Sequence, residues 1–182
     1  MPRYVAFLRA INVGGHLVKM DRLRAAFESL GFSNVETFIA SGNVLFTASS
    51  RSGPALEKRI AAHLREELGY EVGTFVRTAE EIARIAAHEP FAASMGKAYH
   101  AIYISFLPGA PPAAARRAVG ALASKDDEFH VQERELYWLS RKPFGDSAIS
   151  GALLERTLGM PGTMRNVTTV KKIAAKCADR RT

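Results

Sequence analysis

Residues 3–46 read RYVAFLRAINVGGHLVKMDRLRAAFESLGFSNVETFIASGNVLF, and this stretch decides the fold. Its first seven residues are rich in Tyr, Val and Phe, which predicts a strand over 3–9. Residues 21–30 carry apolar side chains at helical spacing and stop at Gly31, which predicts a helix. Between them lies a loop that contains two adjacent glycines.

A tight hairpin and a second helix follow. Residues 35–40 and 44–47 are short apolar runs separated by Ser41-Gly42-Asn43, a typical turn sequence. Residues 54–69 open on a proline, carry apolar residues at helical spacing and close on a glycine, which predicts a helix. Residues 71–77 predict a fourth strand. The order β-α-β-β-α-β is the split unit of the ferredoxin-like fold.

A similar order recurs in the second part of the chain. The predicted elements are a strand over 99–107, a helix over 111–123, a hairpin over 128–140 and a helix over 150–158. In place of a fourth strand we predict a last helix, capped by Thr163. The predicted fold is α+β, with two ferredoxin-like βαββα(β) halves in tandem. The halves cover residues 1–92 and 97–182 and pack as one unit, with antiparallel sheets covered by helices.

The composition is that of an ordinary globular protein, with 47 % hydrophobic and 24 % charged residues. The first residues lack the apolar core of a signal peptide, and no apolar run approaches the ~18 residues of a membrane span. The single cysteine, Cys177, excludes an internal disulfide and fits a reducing compartment. We therefore expect a cytoplasmic protein without a membrane partner.

Positive charge is concentrated at the two ends of the chain. The net charge is +7, and residues 165–182 carry six basic residues against one acid, while residues 1–24 carry five against one. Such clusters attract polyanions through counterion release. A basic tail that only aids solubility is the alternative.

The topology predicts a ligand site where the first strand ends. Right-handed crossovers place the end of that strand and the hairpin tip at the same edge of the sheet. Backbone N–H groups of the Gly-Gly loop, together with the following helix N-terminus, can hold a phosphate or carboxylate. The predicted ligand-binding residues are Arg9, Asn12, Gly14, Gly15, Ser41, Asn43, Arg165 and Asn166.

Each of these residues also has a purely structural interpretation. The two glycines can serve only to bend the chain, Ser41-Gly42-Asn43 can be only a turn, and Arg9 can be a solvated edge charge. Arg165 is predicted in the first turn of the last helix, where a cation opposes the helix dipole. Its partner is then either a ligand or a buried carboxylate.

Known catalytic and cofactor motifs are missing from the sequence. INVGGH matches neither the dinucleotide nor the P-loop pattern. The histidines show no metal-ligand spacing, so no metal and no cofactor are predicted. His16, in the Gly-Gly loop, is a candidate acid–base residue. Cys177 falls on the apolar stripe of the last helix, which favours a buried thiol.

The segments RAINVGG, IASGNVLF and GTMRNVTTVKKI together resemble a bacterial family described as domain of unknown function 1697. The resemblance spans residues 3–176. That family usually has glycine where this chain has Ala10, which suggests that position 10 needs no special dihedral angle. It usually has tryptophan where this chain has Val167, which argues against an aromatic surface there. The resemblance implies two ferredoxin-like halves and no established reaction.

The leading hypothesis is a non-catalytic protein that binds an anionic ligand, with nucleic acid favoured. It rests on the two basic clusters, the Gly-Gly loop and the frequent use of this fold for RNA, although the aromatic-rich RNA-binding motif is missing. The alternative is a small-molecule enzyme with Arg9, Asn12, Ser41 and Arg165 around a phosphate- or carboxylate-bearing substrate.

Overall fold

A computed structural model describes residues 1–12, 14–39 and 42–179. They form two compact units, one of residues 1–84 with 172–182 and one of residues 85–171. The first part of the chain contains β1 (Arg3–Arg9), α1 (Met20–Ser29), β2 (Ser33–Thr37), β3 (Asn43–Thr47), α2 (Gly53–Leu68), β4 (Gly73–Thr78) and α3 (Ala79–Ala87). The second contains β5 (Ala101–Phe106), α4 (Ala113–Gly120), β6 (Asp127–Gln132), β7 (Glu135–Ser140), α5 (Gly151–Leu158), β8 (Thr163–Asn166) and α6 (Val167–Ala178).

Each unit contains one four-stranded antiparallel sheet. The strand orders are β2-β3-β1-β4 and β6-β7-β5-β8, and every neighbouring pair is antiparallel. The third strand of the first sheet lies between the first two. The order is that of the ferredoxin-like split unit, so the α+β fold of two tandem halves is confirmed.

Local interactions define the ends of α2 and the start of α3. Ser52 caps α2 by accepting a hydrogen bond from the backbone N–H of Ala55 at 3.3 Å. Gly69 ends α2 with a φ of 80°, a conformation that glycine adopts at little cost. Thr78 and Glu81 form a capping box at the start of α3, with reciprocal hydrogen bonds of 2.7 and 3.1 Å.

The predicted end of the second half is wrong, because it contains a fourth strand. Residues 163–166 form β8, in which Arg165 lies opposite Ile104 of β5. Thr163 is therefore a strand residue and does not cap a helix. Pairing with β8 satisfies backbone groups that the edge of β5 would otherwise leave unpaired. The last helix begins only at Val167.

Each unit has its own apolar core. In the first unit, one face of the sheet packs with α1 and α2, and its largest fully buried side chains include Tyr4, Phe27 and Phe46. In the second unit, Trp138 and Leu136 of β7 pack with side chains of α4 and α5, among them Leu154. Regular burial of this kind is the main favourable term in folding.

The units have bounds different from the halves predicted at 1–92 and 97–182. The described residues 172–179 are assigned to the first unit, so the boundary between the two units falls within α6. Within the described residues, none of the helices is long and apolar enough to cross a membrane.

Candidate functional site

The end of β1 and the hairpin tip lie side by side in the first unit. Phe7 is opposite Asn43, and the backbone N–H of Leu8 donates a hydrogen bond of 2.8 Å to the carbonyl oxygen of Gly42. A Cβ atom placed on Gly42 would lie 3.1 Å from Leu8 Cβ and 3.3 Å from Ile11 Cβ. We call the described residues of the loop 10–19 and of the hairpin tip 38–43 together the Gly-Gly edge.

The backbone of the loop is left-handed at several positions. The φ angles are 67° at Ala10, 58° at Asn12, 62° at Gly14 and 86° at Gly15. The expectation that position 10 needs no special dihedral is therefore wrong, since alanine here occupies a region that costs an L-residue about 1–2 kcal/mol. Strained backbone of this kind concentrates at functional sites.

Replacing Ala10 with glycine should stabilise the protein. Glycine adopts a φ of 67° freely, although it also increases the entropy of the unfolded chain by about 0.4–1 kcal/mol. We expect a net gain of roughly 0.5–1 kcal/mol in the free energy of unfolding, measured by denaturant titration. Ala62→Gly, at an exposed position in the interior of α2 where glycine is unfavourable, is the control and should destabilise. A loss of stability in Ala10→Gly would contradict the left-handed geometry.

Two predicted ligand residues at this edge hold the backbone in place. The side-chain oxygen of Asn12 accepts a hydrogen bond of 2.7 Å from the N–H of Val18 and so closes the loop. Asn43 is buried, and its amide donates to the carbonyl oxygen of Phe38 at 2.9 Å. Predicted residue Ser41 lies outside the described residues.

Other residues of the Gly-Gly edge face solvent. Gly14 and Gly15 are exposed, and a Cβ atom on either would meet nothing within 4 Å. The His16 ring stacks on Tyr70 with ring centroids 3.9 Å apart, and the Leu17 side chain is 85 % exposed. The edge therefore offers open backbone, a ring and an apolar side chain to a ligand.

Basic side chains flank the same edge. Arg9 ends β1 and Lys19 precedes α1, and both are exposed. Arg22 on α1 donates a hydrogen bond of 2.6 Å to the carbonyl oxygen of Glu67. The positive charge predicted from the first residues of the chain is thus carried by the elements on either side of the loop.

Arg165 and Asn166 belong to the second unit and have structural roles there. Arg165 is only 8 % exposed, and its Nη1 donates hydrogen bonds of 2.9 Å to Thr163 Oγ1 and to the carbonyl oxygen of Met164. Burial lowers the pKa of the Arg165 guanidinium to about 10. Asn166 accepts a hydrogen bond of 2.9 Å from the N–H of Thr168 at the start of α6.

An equivalent arginine lies in the first unit. Arg77 is on β4, the fourth strand of its sheet, and is 1 % exposed. Like Arg165, it donates through Nη1 to the carbonyl oxygen of the preceding residue, at 2.9 Å. Glu57 of α2 lies 3.8 Å away. A buried arginine on the fourth strand thus recurs in both units, which favours a structural role for Arg165.

The basic residues of the C-terminal segment 165–182 are less available to a polyanion than their number suggests. Lys176 forms an ion pair with Glu36 and lies 5.3 Å from the centre of the Phe38 ring. Lys171 is paired with Glu89 at 3.9 Å, whereas Lys172 is exposed. Arg180 and Arg181 lie outside the described residues. The described part of the last helix therefore presents few basic groups to a polyanion.

A histidine cluster in the second unit was not foreseen, because its members come from separate elements. The rings of His88 and His130 are 5.2 Å apart, and His88 meets Tyr137 edge-on at 5.1 Å. The Nε2 atoms of both histidines are buried and make no hydrogen bond in the described structure. In the described part of the chain, His, Cys, Asp and Glu side chains do not form any group of three or more that could hold a metal ion.

Acid should destabilise the second unit through His130. Burial, followed by the nearby His88 and Arg116 charges, lowers the pKa of His130, although a hydrogen bond with Gln132 opposes this. Below the ordinary pKa of about 6.5, the His130 side chain takes up a proton in the unfolded chain but much less readily in the folded chain. The free energy of unfolding therefore decreases as the pH decreases.

The variant His130→Gln should lose less stability than the native protein between about pH 7.5 and pH 5 in denaturant titrations. His100→Gln, which alters an exposed histidine, is the control and should keep the native pH dependence. Equal pH dependence in all three proteins would remove His130 as the cause.

The chain is a protein of the α+β class with two tandem ferredoxin-like units, and its first unit carries the Gly-Gly edge. A family model described as a protein of unknown function (DUF1697) matches residues 1–137. The chain belongs to this family, which confirms the family that the sequence motifs indicated. The third motif, around Arg165, lies beyond the matched residues.

Known proteins add information on the fold alone. A solved structure of a conserved bacterial protein from Streptococcus pneumoniae has a TM-score of 0.78 with this chain. The two sequences are 24 % identical, and the similarity covers 98 % of this chain and 99 % of the other. A search of curated proteins found no match.

Proposed function

We propose that the first unit binds a phosphate-bearing ligand at the Gly-Gly edge. One observation carries the proposal: four residues of one loop, the half-buried Ala10 and Asn12 and the exposed Gly14 and Gly15, have left-handed backbone. Successive N–H groups in such turns form concave sites for anions. Arg9 and Lys19 add the positive charge that a phosphate needs.

Among the described polar side chains of the Gly-Gly edge, those of Asn12 and Asn43 form hydrogen bonds with the backbone. Because these side chains stabilise the loop, the edge is better suited to binding a ligand than to catalysis. His16 stacks on Tyr70 and extends the exposed surface. These features suit recognition of a phosphate next to a planar or apolar group, as in a nucleotide.

Nucleic acid and a free nucleotide share this chemistry but differ in the number of phosphates contacted. A long polyanion needs a continuous basic face. Lys171 and Lys176 are in ion pairs and Arg165 is buried, so the described basic groups suit contact with few phosphates. We therefore propose a compact phosphate-bearing ligand, with the end of a single-stranded nucleic acid as the second source of the same group.

The proposal is tested by fluorescence anisotropy with labelled single-stranded oligonucleotide and with labelled nucleoside triphosphate, at about 50 and about 200 mM salt. We expect both probes to bind with a shallow salt dependence and to be displaced by unlabelled triphosphate. A steep salt dependence of the oligonucleotide alone would instead indicate an extended nucleic-acid interface. Absence of binding by both probes at low salt overturns the proposal.

The variant Arg9→Ala tests whether the ligand binds at the Gly-Gly edge. Loss of one charged phosphate contact should weaken affinity about tenfold and reduce the salt slope by about one. Arg24→Ala is the matched control, because Arg24 is exposed on α1 and pairs with Glu28 at 3.8 Å. Equal losses in the two variants would show that only net charge matters, and no loss in Arg9→Ala would move the site elsewhere.

A further inference from the structure

Two aromatic rings form an exposed stacked pair at the Gly-Gly edge. The His16 ring lies on the Tyr70 ring, with centroids 3.9 Å apart and an angle of 25° between the ring planes. A planar ring has two faces, and Tyr70 covers only one of those of His16. Since His16 is an exposed residue, the face turned away from Tyr70 is accessible to a ligand. We call these two rings the His16–Tyr70 platform.

Tyr70 is anchored to the folded core. Gly69 ends α2 with a φ of 80°, and its N–H donates a hydrogen bond of 2.9 Å to the carbonyl oxygen of Arg65. A left-handed residue at this position turns the chain away from the helix axis. Tyr70 therefore leaves the helix and packs, half-buried, against the apolar core of the first unit. The Tyr70 ring belongs to this core, whereas the His16 ring belongs to the exposed loop.

The platform adjoins the backbone that is proposed to bind phosphate. His16 directly follows Gly14 and Gly15, whose φ angles are 62° and 86°. Consecutive Cα atoms are about 3.8 Å apart, so the N–H groups of these glycines lie within two residues of the ring. A nucleotide likewise separates its phosphate from its base by one sugar ring. A phosphate held by the loop would therefore bring the base of the same molecule within reach of His16.

The chemistry of the platform suits a nucleobase. Every base can stack on an aromatic side chain, because every base has a π face. Leu17, whose side chain is 85 % exposed, adds apolar surface next to the His16 ring. Because the favourable free energy increases with the apolar area buried, a two-ring purine gains more from such a surface than a one-ring pyrimidine.

We propose that the His16–Tyr70 platform stacks the base of the ligand and makes the Gly-Gly edge selective for purine nucleotides. This inference rests on the phosphate binding proposed above and adds the class of ligand that the same site accepts. In this arrangement His16 contacts the base directly. Tyr70 is a positioning residue that holds the His16 ring.

The test compares ligands that share the triphosphate and differ in the base. Isothermal titration calorimetry measures the affinities of adenosine triphosphate, cytidine triphosphate and ribose 5-triphosphate, which has no base. We expect adenosine triphosphate to bind about tenfold more tightly than ribose 5-triphosphate, with cytidine triphosphate between them. A 2-aminopurine nucleoside triphosphate gives a spectroscopic signal, because its fluorescence decreases when its base stacks on another ring.

Variants show whether the platform is the cause of the selectivity. His16→Ala should weaken adenosine triphosphate binding about tenfold and leave ribose 5-triphosphate binding native. His16→Phe keeps a flat ring and should retain both the preference and the fluorescence decrease. Tyr70→Ala should reduce the preference and Tyr70→Phe should restore it, since the Tyr70 hydroxyl makes no hydrogen bond with the described residues. His100→Ala changes an exposed histidine of the second unit and is the control, with native affinities expected.

Two kinds of failure are distinguishable. Equal affinities for the three triphosphates overturn the inference. It is also overturned if His16→Ala weakens adenosine triphosphate and ribose 5-triphosphate equally, because the platform would then only support the loop. An undiminished fluorescence decrease in His16→Ala overturns it as well, because the base would then stack elsewhere. Absence of binding by all three triphosphates overturns the proposed phosphate site itself, and this inference with it.

Discussion

Replacing Trp138 with alanine is expected to lower the free energy of unfolding by about 3–5 kcal/mol. Trp138 is 1 % exposed on β7 and lies in the core of the second unit, with the rings of Tyr103 and Phe129 within 5.1 and 6.2 Å. Its indole N–H donates a hydrogen bond of 2.8 Å to Asp127 Oδ1. The change therefore leaves a cavity and also deprives a buried carboxylate of a donor.

Guanidinium titration followed by circular dichroism measures this loss, because the chain has one tryptophan and the variant has no fluorescence signal from it. Phe144→Ala is the matched control: Phe144 is an aromatic neighbour of Trp138 at 6.0 Å but is 52 % exposed. We expect less than about 1 kcal/mol from the control. Similar effects in the two variants would show that Trp138 is not a core residue.

The variant Trp138→Phe separates the two contributions. Phenylalanine fills most of the volume but cannot donate to Asp127, which keeps contacts with Ser147 at 3.3 Å and Ser124 at 3.4 Å. The loss should be about 1–3 kcal/mol, the cost of one lost hydrogen bond to a carboxylate together with a smaller packing defect. A full loss in this variant would assign most of the effect to the hydrogen bond.

The strands and helices with strong local patterns could be predicted from the sequence. β1 has the predicted bounds, and α2 ends at the predicted Gly69 and begins one residue before the predicted Pro54, because Ser52 and Gly69 act within one turn of the helix. The Thr78–Glu81 capping box is equally local. Such interactions join residues close in sequence, so a sequence pattern contains all the information they need.

The strand β8 could not be predicted from local pattern. Its four residues are too few for alternation to be clear, and Thr163 suits a helix cap as well as a strand. What makes this segment a strand is pairing with β5, a contact distant in sequence. The tandem repeat was the available signal, since the first half ends its β-α-β-β-α unit with the strand β4.

The candidate site likewise has features that could be predicted from the sequence and features that could not. The meeting of the end of β1 with the hairpin tip follows from topology and is present in the structure. The left-handed conformation of Ala10 was missed because alanine gives no sign of a positive φ. The burial of Arg165 and the closeness of His88 to His130 depend on tertiary packing, which residue type alone does not reveal.

Gly42→Ala is expected to destabilise the protein by about 2–4 kcal/mol, because two costs act at the hairpin tip. The φ angle of Gly42 is 82°, which an alanine adopts at a cost of about 1–2 kcal/mol. The new methyl group would also lie 3.1 Å from Leu8 Cβ and 3.2 Å from the Leu8 carbonyl oxygen. Neither neighbour can move freely, since Leu8 is buried and part of β1.

Gly31→Ala separates the dihedral cost from the packing cost. Gly31 has a nearly equal φ of 78°, but a Cβ atom there meets nothing within 4 Å, so about 1–2 kcal/mol is expected. Denaturant titration of both variants gives the packing term as the difference between them. The same contact sets the position of the Gly-Gly edge, so Gly42→Ala should also weaken phosphate binding under native conditions whereas Gly31→Ala should not. Equal destabilisation by the two variants would mean that the hairpin tip does not press against β1, and the geometry of the proposed site would be lost with it.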